Sequence, residues 1–121
     1  MNLKKYLAEF IGTFFFVLTV GCTVIAPGAG SMAPLAIGSA LMVMVYACGH
    51  ISGAHLNPAV TLAVWLRGRC AASDVPGYIF SQLVAGILAA FVVSFLKGNP
   101  TLPPPSDLNL GPALVVTSFA E

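Results

Sequence analysis

Residues 52–61 read Ser-Gly-Ala-His-Leu-Asn-Pro-Ala-Val-Thr, a polar, turn-forming run leading into Asn57-Pro58-Ala59 and then a short apolar stretch. The chain around it is 58% hydrophobic and only 7% charged, where a soluble domain is about a quarter charged. Its mean hydropathy is +0.94. This is the composition of an integral membrane protein, and the stretch after Asn57 is too short to cross a bilayer. Backbone exposed at that depth must be buried in protein or face a water-filled path, because lipid satisfies no hydrogen bonds. The loop therefore points to a pore or a binding site.

Charge and cysteine content narrow the classes. A net charge of +1 provides no basic patch, so nucleic acid is excluded as a partner. Cys22, Cys48 and Cys70 are odd in number and scattered. They read as small buried hydrophobes and not as disulfides or metal ligands. Lys4 and Lys5 precede an apolar run, and Thr19-Val20-Gly21-Cys22 faintly resembles a lipoprotein cleavage site. Glu9 interrupts the start of the run, however, and the run is longer than the roughly 7–15 residues of a signal core. An uncleaved first transmembrane helix is expected.

The predicted organisation is all-α and transmembrane, within a single unit covering 1–121. Spans are expected at about 7–25, 34–50 and 75–96, with a half-helix at about 58–66. A proline-rich linker follows at about 97–109, and a further span starts at about 110–121. Pro34 and Pro58 suit first helical turns, where a missing N–H is harmless. Arg67-Gly68-Arg69 suits the half-helix end, and Ser73 or Asp74 is the expected N-cap of the third span. That span carries small residues at Gly77, Ser81, Ala85 and Ala89, with Gly86 and Ala90 beside them, a stripe suited to close helix packing. Lys4, Lys5, Arg67 and Arg69 fall on one side of the membrane and Lys97 on the other. This bias predicts a cytoplasmic N terminus and a half-helix that enters from the cytoplasm and returns there.

The half-helix would aim its positive end, about half an elementary charge, at the membrane midplane. Asn57 adds two amide donors and one acceptor there. The residues before it are expected to run extended, because a residue preceding proline avoids the α region. The carbonyls of Gly53, Ala54, His55 and Leu56 would then form a ladder of acceptors. Such a path suits a small neutral molecule and repels cations, hydronium included. The residues alone leave open a pore, a substrate site on a broken helix of a transporter, and a tight turn in a membrane enzyme.

The run Gly49-His50-Ile51-Ser52-Gly53-Ala54-His55-Leu56-Asn57-Pro58-Ala59-Val60-Thr61 resembles the first signature loop of the aquaporins, the major intrinsic proteins. Ala8-Glu9-Phe10-Ile11-Gly12-Thr13-Phe14 is similar to that family's first-helix motif. The resemblance implies two inverted three-helix repeats whose Asn-Pro-Ala half-helices meet at the midplane, and four protomers in a homotetramer. This chain would supply the first half-repeat. By the same resemblance Asn57 donates to the permeating molecule and the four carbonyls accept from it. Pro58 and Ala59 complete the motif, and Val60 packs near the junction. Glu9 is implied as an internal brace for a signature loop. Ala120-Glu121 repeats Ala8-Glu9 and opens a second repeat, so Glu121 is expected to hydrogen-bond near His55. The side chains of His50 and His55 lack metal-ligand spacing and read as structural.

Ile37 falls at the second-helix position of the narrow filter, where strict water channels commonly carry an aromatic. Its smaller side chain implies passage of glycerol, urea or ammonia beside water. The second Asn-Pro-Ala loop and the filter arginine are absent from the 121 residues. The sequence therefore predicts the N-terminal half of a channel, a fragment or truncated reading frame, that does not conduct alone. The charge bias opposes an upside-down second copy. Beyond lipid, the implied partner is a C-terminal half, and the implied location is the plasma or inner membrane. A non-conducting subunit bound to a full-length channel is the alternative. No paired carboxylates, nucleophile–base set or metal cluster supports an enzyme, and nothing calls for a cofactor.

Overall fold

A computed structural model describes residues 3–98. All regular structure among them is helical: α1 (Leu3–Val24), a 3₁₀ turn (Gly30–Met32), α2 (Ala33–Ser52), α3 (Pro58–Leu66) and α4 (Val75–Lys97). Three helical stretches, Leu3–Val24, Gly30–Ser52 and Val75–Lys97, are long and apolar enough to cross a membrane. At about 1.5 Å per residue each reaches roughly 30–35 Å, whereas α3 reaches only about 14 Å. Residues 99–121, with Glu121, the span expected near 110–121 and most of the linker, lie outside the described residues.

Helix ends follow backbone chemistry more than the edges of the apolar runs. α1 starts at Leu3, ahead of the apolar run, and so carries Lys4 and Lys5 in its first turn. α2 continues through Ser52 and stops at Gly53, whose φ of +93° is a left-handed conformation that glycine adopts without a Cβ clash. Asp74 occupies the N-cap position of α4 without a side-chain cap, which corrects the expected capping role. Its carboxylate instead accepts from Lys5 Nζ at 3.0 Å and Tyr6 Oη at 3.4 Å. An ammonium across the interface outcompetes a local N–H.

α1 packs between α2 and α4, and α3 rests against α4. Small residues permit the close contacts. A Cβ at Gly12 would stand 2.5 Å from Leu56 Cδ2, and one at Gly77 2.5 Å from the Tyr6 ring. Ala85 and Ala89 are fully buried. The second row of the stripe does not pack in this way: Gly86 meets nothing within 4 Å at its Cβ position, and Ala90 is exposed.

The interior is inverted relative to a water-soluble protein. The largest fully buried side chains are Gln82, Glu9 and Thr61. Phe95, Tyr46 and Leu66, by contrast, are 86%, 82% and 77% exposed. A surface of this kind is stable when the surrounding solvent is hydrocarbon, which gains nothing from hiding it. Two contacts order the ends of the molecule. Lys5 to Asp74 puts the start of α1 beside the 67–74 loop. Lys97 Nζ donates to the Pro27 carbonyl at the other end.

Candidate functional site

Asn57 is the one loop residue whose backbone obeys the proline constraint: its φ and ψ are −156° and 133°. Three of the four residues before it, Gly53, Ala54 and Leu56, are not extended, which corrects the sequence expectation there. Gly53, Ala54 and Leu56 have φ of +93°, +50° and +53°. The proline restricts only its immediate neighbour, and a long-range contact sets the rest.

That contact is Glu9, fully buried on α1. Its Oε1 accepts from Ser52 Oγ at 2.6 Å and from the His55 N–H at 2.9 Å. Its Oε2 accepts from the Leu56 N–H at 2.7 Å and from Gln82 Nε2 at 2.8 Å. A carboxylate offers about four lone-pair positions, and four donors from three other segments fill them. Two further N–H groups also turn inward, from Ala54 to Ser52 Oγ at 3.1 Å and from Gly53 to the Gly49 carbonyl at 3.0 Å. With every N–H of residues 53–56 facing protein, their four carbonyls accept no hydrogen bond among the described residues. Glu9 thus sets the polarity of the loop: its donors are bound inward, and its acceptors are left without a protein partner among the described residues.

Asn57 caps α3. Its Oδ1 accepts from the Ala59 N–H at 2.8 Å, which fixes the amide so that Nδ2 and its two protons have no partner among the described residues. Asn57 is exposed. Donors therefore cluster at the positive end of α3, with Pro58 at N1 contributing none. A cavity of about 390 Å³ adjoins this tip, lined by Thr13, Phe16, Leu56, Asn57, Pro58 and Gln82 among others. A larger depression of about 540 Å³ between α1 and α2 is lined by Leu7, Ala8, Ile11, Cys48 and Ile51 with Lys4. It offers no comparable set of polar atoms.

Below the loop a second layer holds it. Tyr78 Oη donates to the Ser52 carbonyl at 2.7 Å, and its ring lies 5.0 Å from that of His55. Thr61 Oγ1 is within 3.1 Å of the Asn57 carbonyl, 3.2 Å of His55 Nδ1 and 3.0 Å of Gln82 Nε2.

The model of the major intrinsic protein family matches residues 1–119. The chain belongs to the major intrinsic protein family. It is 47% identical over 97 residues to glycerol uptake facilitator protein-like 6 of Lactiplantibacillus plantarum, covering 78% of this chain and 45% of that protein. It is 46% identical over 98 residues to aquaporin Z of Photorhabdus laumondii, covering 75% of this chain and 42% of the relative. Against aquaporin NIP1-1 of Arabidopsis thaliana the identity is 42% over 103 residues, covering 79% and 34%. The chain thus spans less than half the length of these curated relatives, and with three helices long and apolar enough to cross a membrane it is a multi-pass membrane protein.

In this major intrinsic protein the structure gathers Glu9, Gly53, Ala54, His55, Leu56, Asn57 and Pro58 at one place. Ala59 and Val60 follow on the exposed first turn of α3. Ile37 stands apart, half-buried in the early turns of α2, about 22 Å along that helix from Ser52. The backbone of His55 is held by Glu9; Glu121, the partner expected there, lies outside the described residues. Sequence reasoning passed over Gln82 and Tyr78. A lone glutamine within the apolar run 79–93 was a usable signal, since polar groups inside a membrane are costly and tend to serve a site. Tyr78, near a helix end, gave none.

Proposed function

We propose that residues 1–121 supply one half of a passive channel for water and small neutral solutes, among them glycerol, urea or ammonia, that excludes ions and protons. The observation that carries this reading is the polarity of the loop. Four carbonyls without a protein partner among the described residues lead to the Asn57 amide donors, also unpartnered there, at the N-terminus of α3. A molecule that both donates and accepts hydrogen bonds is served along the whole path, whereas a cation meets a positive centre. Hydrogen-bond exchange with a neutral solute needs no nucleophile, metal or cofactor, so no enzymatic step is assigned.

The half-pore reading is supported by the length of α3 and by the exposure of Asn57, Ala59 and Val60. A nine-residue helix reaches only half the hydrocarbon thickness, and a closed path needs a second wall. A C-terminal half would provide it, and the complete channel would assemble as a homotetramer. Ile37 would widen the filter relative to an aromatic. The end carrying Lys4, Lys5, Arg67 and Arg69 would face the cytoplasm, in the plasma or inner membrane.

Stopped-flow light scattering on proteoliposomes tests the reading. The 121-residue chain alone is expected to match empty liposomes. Co-reconstitution with the C-terminal half of a relative is expected to restore water flux and flux of at least one of glycerol, urea and ammonia. Conductance by the chain alone overturns the half-pore reading, and flux of water only overturns the wider selectivity.

A further inference from the structure

The three contacts of Thr61 fix the proton positions around His55. The hydroxyl carries a single proton, and its oxygen stands 3.1 Å from the Asn57 carbonyl oxygen. Two oxygens at that separation attract only with a proton between them, so the hydroxyl donates to Asn57. Its lone pairs then face Gln82 Nε2 at 3.0 Å and His55 Nδ1 at 3.2 Å, and both nitrogens must donate. The Gln82 amide cannot be turned over, because its oxygen would then meet Glu9 Oε2, now 2.8 Å from Nε2. Glu9 in turn receives two backbone N–H groups, which act only as donors. The sense of every bond is therefore set from Glu9 outward.

We infer that Gln82 and Thr61 hold His55 as its Nδ1–H tautomer, so that the ring presents an unprotonated Nε2 as a further acceptor for the hydrogen-bond-donating solute beside the backbone carbonyls. A neutral imidazole carries its proton on either nitrogen, and the bond at one sets the character of the other. Nε2 has no partner among the described residues and is not among their buried unpartnered atoms. A side chain at residue 53 would crowd it, since a Cβ there would stand 3.2 Å from Nε2; glycine avoids that contact. Thr61 and Gln82 are positioning residues here, acting through the ring and not on the solute. The inference rests on the loop being the wall of a solute path.

Nitrogen NMR of the whole chain, labelled with ¹⁵N-histidine and embedded in lipid at neutral pH, provides the test. His50→Gln leaves one ring to observe. The expected spectrum has a protonated Nδ1 and an unprotonated Nε2. Thr61→Ser is expected to keep this pattern, and Thr61→Val to lose the exclusive Nδ1–H signal. A protonated Nε2 in the otherwise unaltered chain overturns the inference. A Thr61→Val spectrum that stays purely Nδ1–H overturns the role of Thr61. None of these signals involves transport, so failure of the pore reading in the flux assay is seen separately.

Discussion

Glu9, fully buried, binds four donors, and its replacement exposes what each bond contributes. Hydrogen bonds to a charged group contribute roughly 1.5–3 kcal/mol each. Left-handed backbone at a non-glycine residue costs roughly 1–2 kcal/mol, and the loop contains two such residues, Ala54 and Leu56. The four bonds outweigh that strain, which is why the conformation persists. Glu9→Gln keeps the shape but sets an amide N–H₂ against groups that are themselves donors. It is expected to destabilise the chain by on the order of 3 kcal/mol in detergent unfolding titrations, whereas Ser52→Ala, removing one donor of four, costs about 1–2 kcal/mol. Equal losses for the two variants would contradict this account of the loop. At this scale the sequence was partly readable. Glu9 and Asn57 stood out as polar residues in apolar surroundings. The turned backbone at Ala54 and Leu56 did not, because Glu9, which holds it through the N–H groups of His55 and Leu56, lies 46 and 47 residues from them in sequence.

Helices α1 and α4 meet through a charged contact at one end and close packing along their length, and the two differ in worth. The Lys5–Asp74 pair joins a side chain 36% exposed to one 13% exposed, and such pairs are screened to below about 1 kcal/mol. A Cβ at Gly77 would meet Tyr6 side-chain atoms at 2.5 to 2.9 Å, and overpacking of that kind costs roughly 1–3 kcal/mol. Gly77→Val should therefore lower unfolding stability more than Lys5→Ala in the same titration, and the reverse order would show the ion pair to be dominant. The pair has a chemical consequence nearby. Partial burial first, and then the Asp74 carboxylate, push the Cys70 thiol above its ordinary range, with Lys5 opposing. Less thiolate is present at neutral pH, so maleimide labelling of Cys70 should be slow at pH 7 and accelerate as the pH rises. Asp74→Asn removes one raising influence and should speed labelling at pH 7; a slower rate would contradict the assignment. The spans could be found from composition alone, since apolar runs of that length have few other solutions. The contacts between them could not, because Tyr6 against Gly77 and Leu56 against Gly12 depend on which faces meet.

The whole molecule places its polar side chains inside and its large apolar ones outside, with one basic end. If that end faces the cytoplasm, an impermeant maleimide should label Cys70 in inside-out vesicles and not in right-side-out ones, the opposite pattern reversing the proposed orientation. Adding two lysines to the 26–32 segment should shift labelling toward the other face. The anchoring of the loop also bears on how the chain is made. Glu9 is synthesised 43 residues before Ser52 and 73 before Gln82. When α1 first reaches the membrane its carboxylate has none of its four donors, and an unpaired charge among lipid tails is costly. The first helix is therefore expected to stay at the bilayer surface, or sheltered by the insertion machinery, until later segments emerge. Gln82 lies on the last of the described helices, so the same late event of translation would complete both the site and the secure membrane seat of the N terminus.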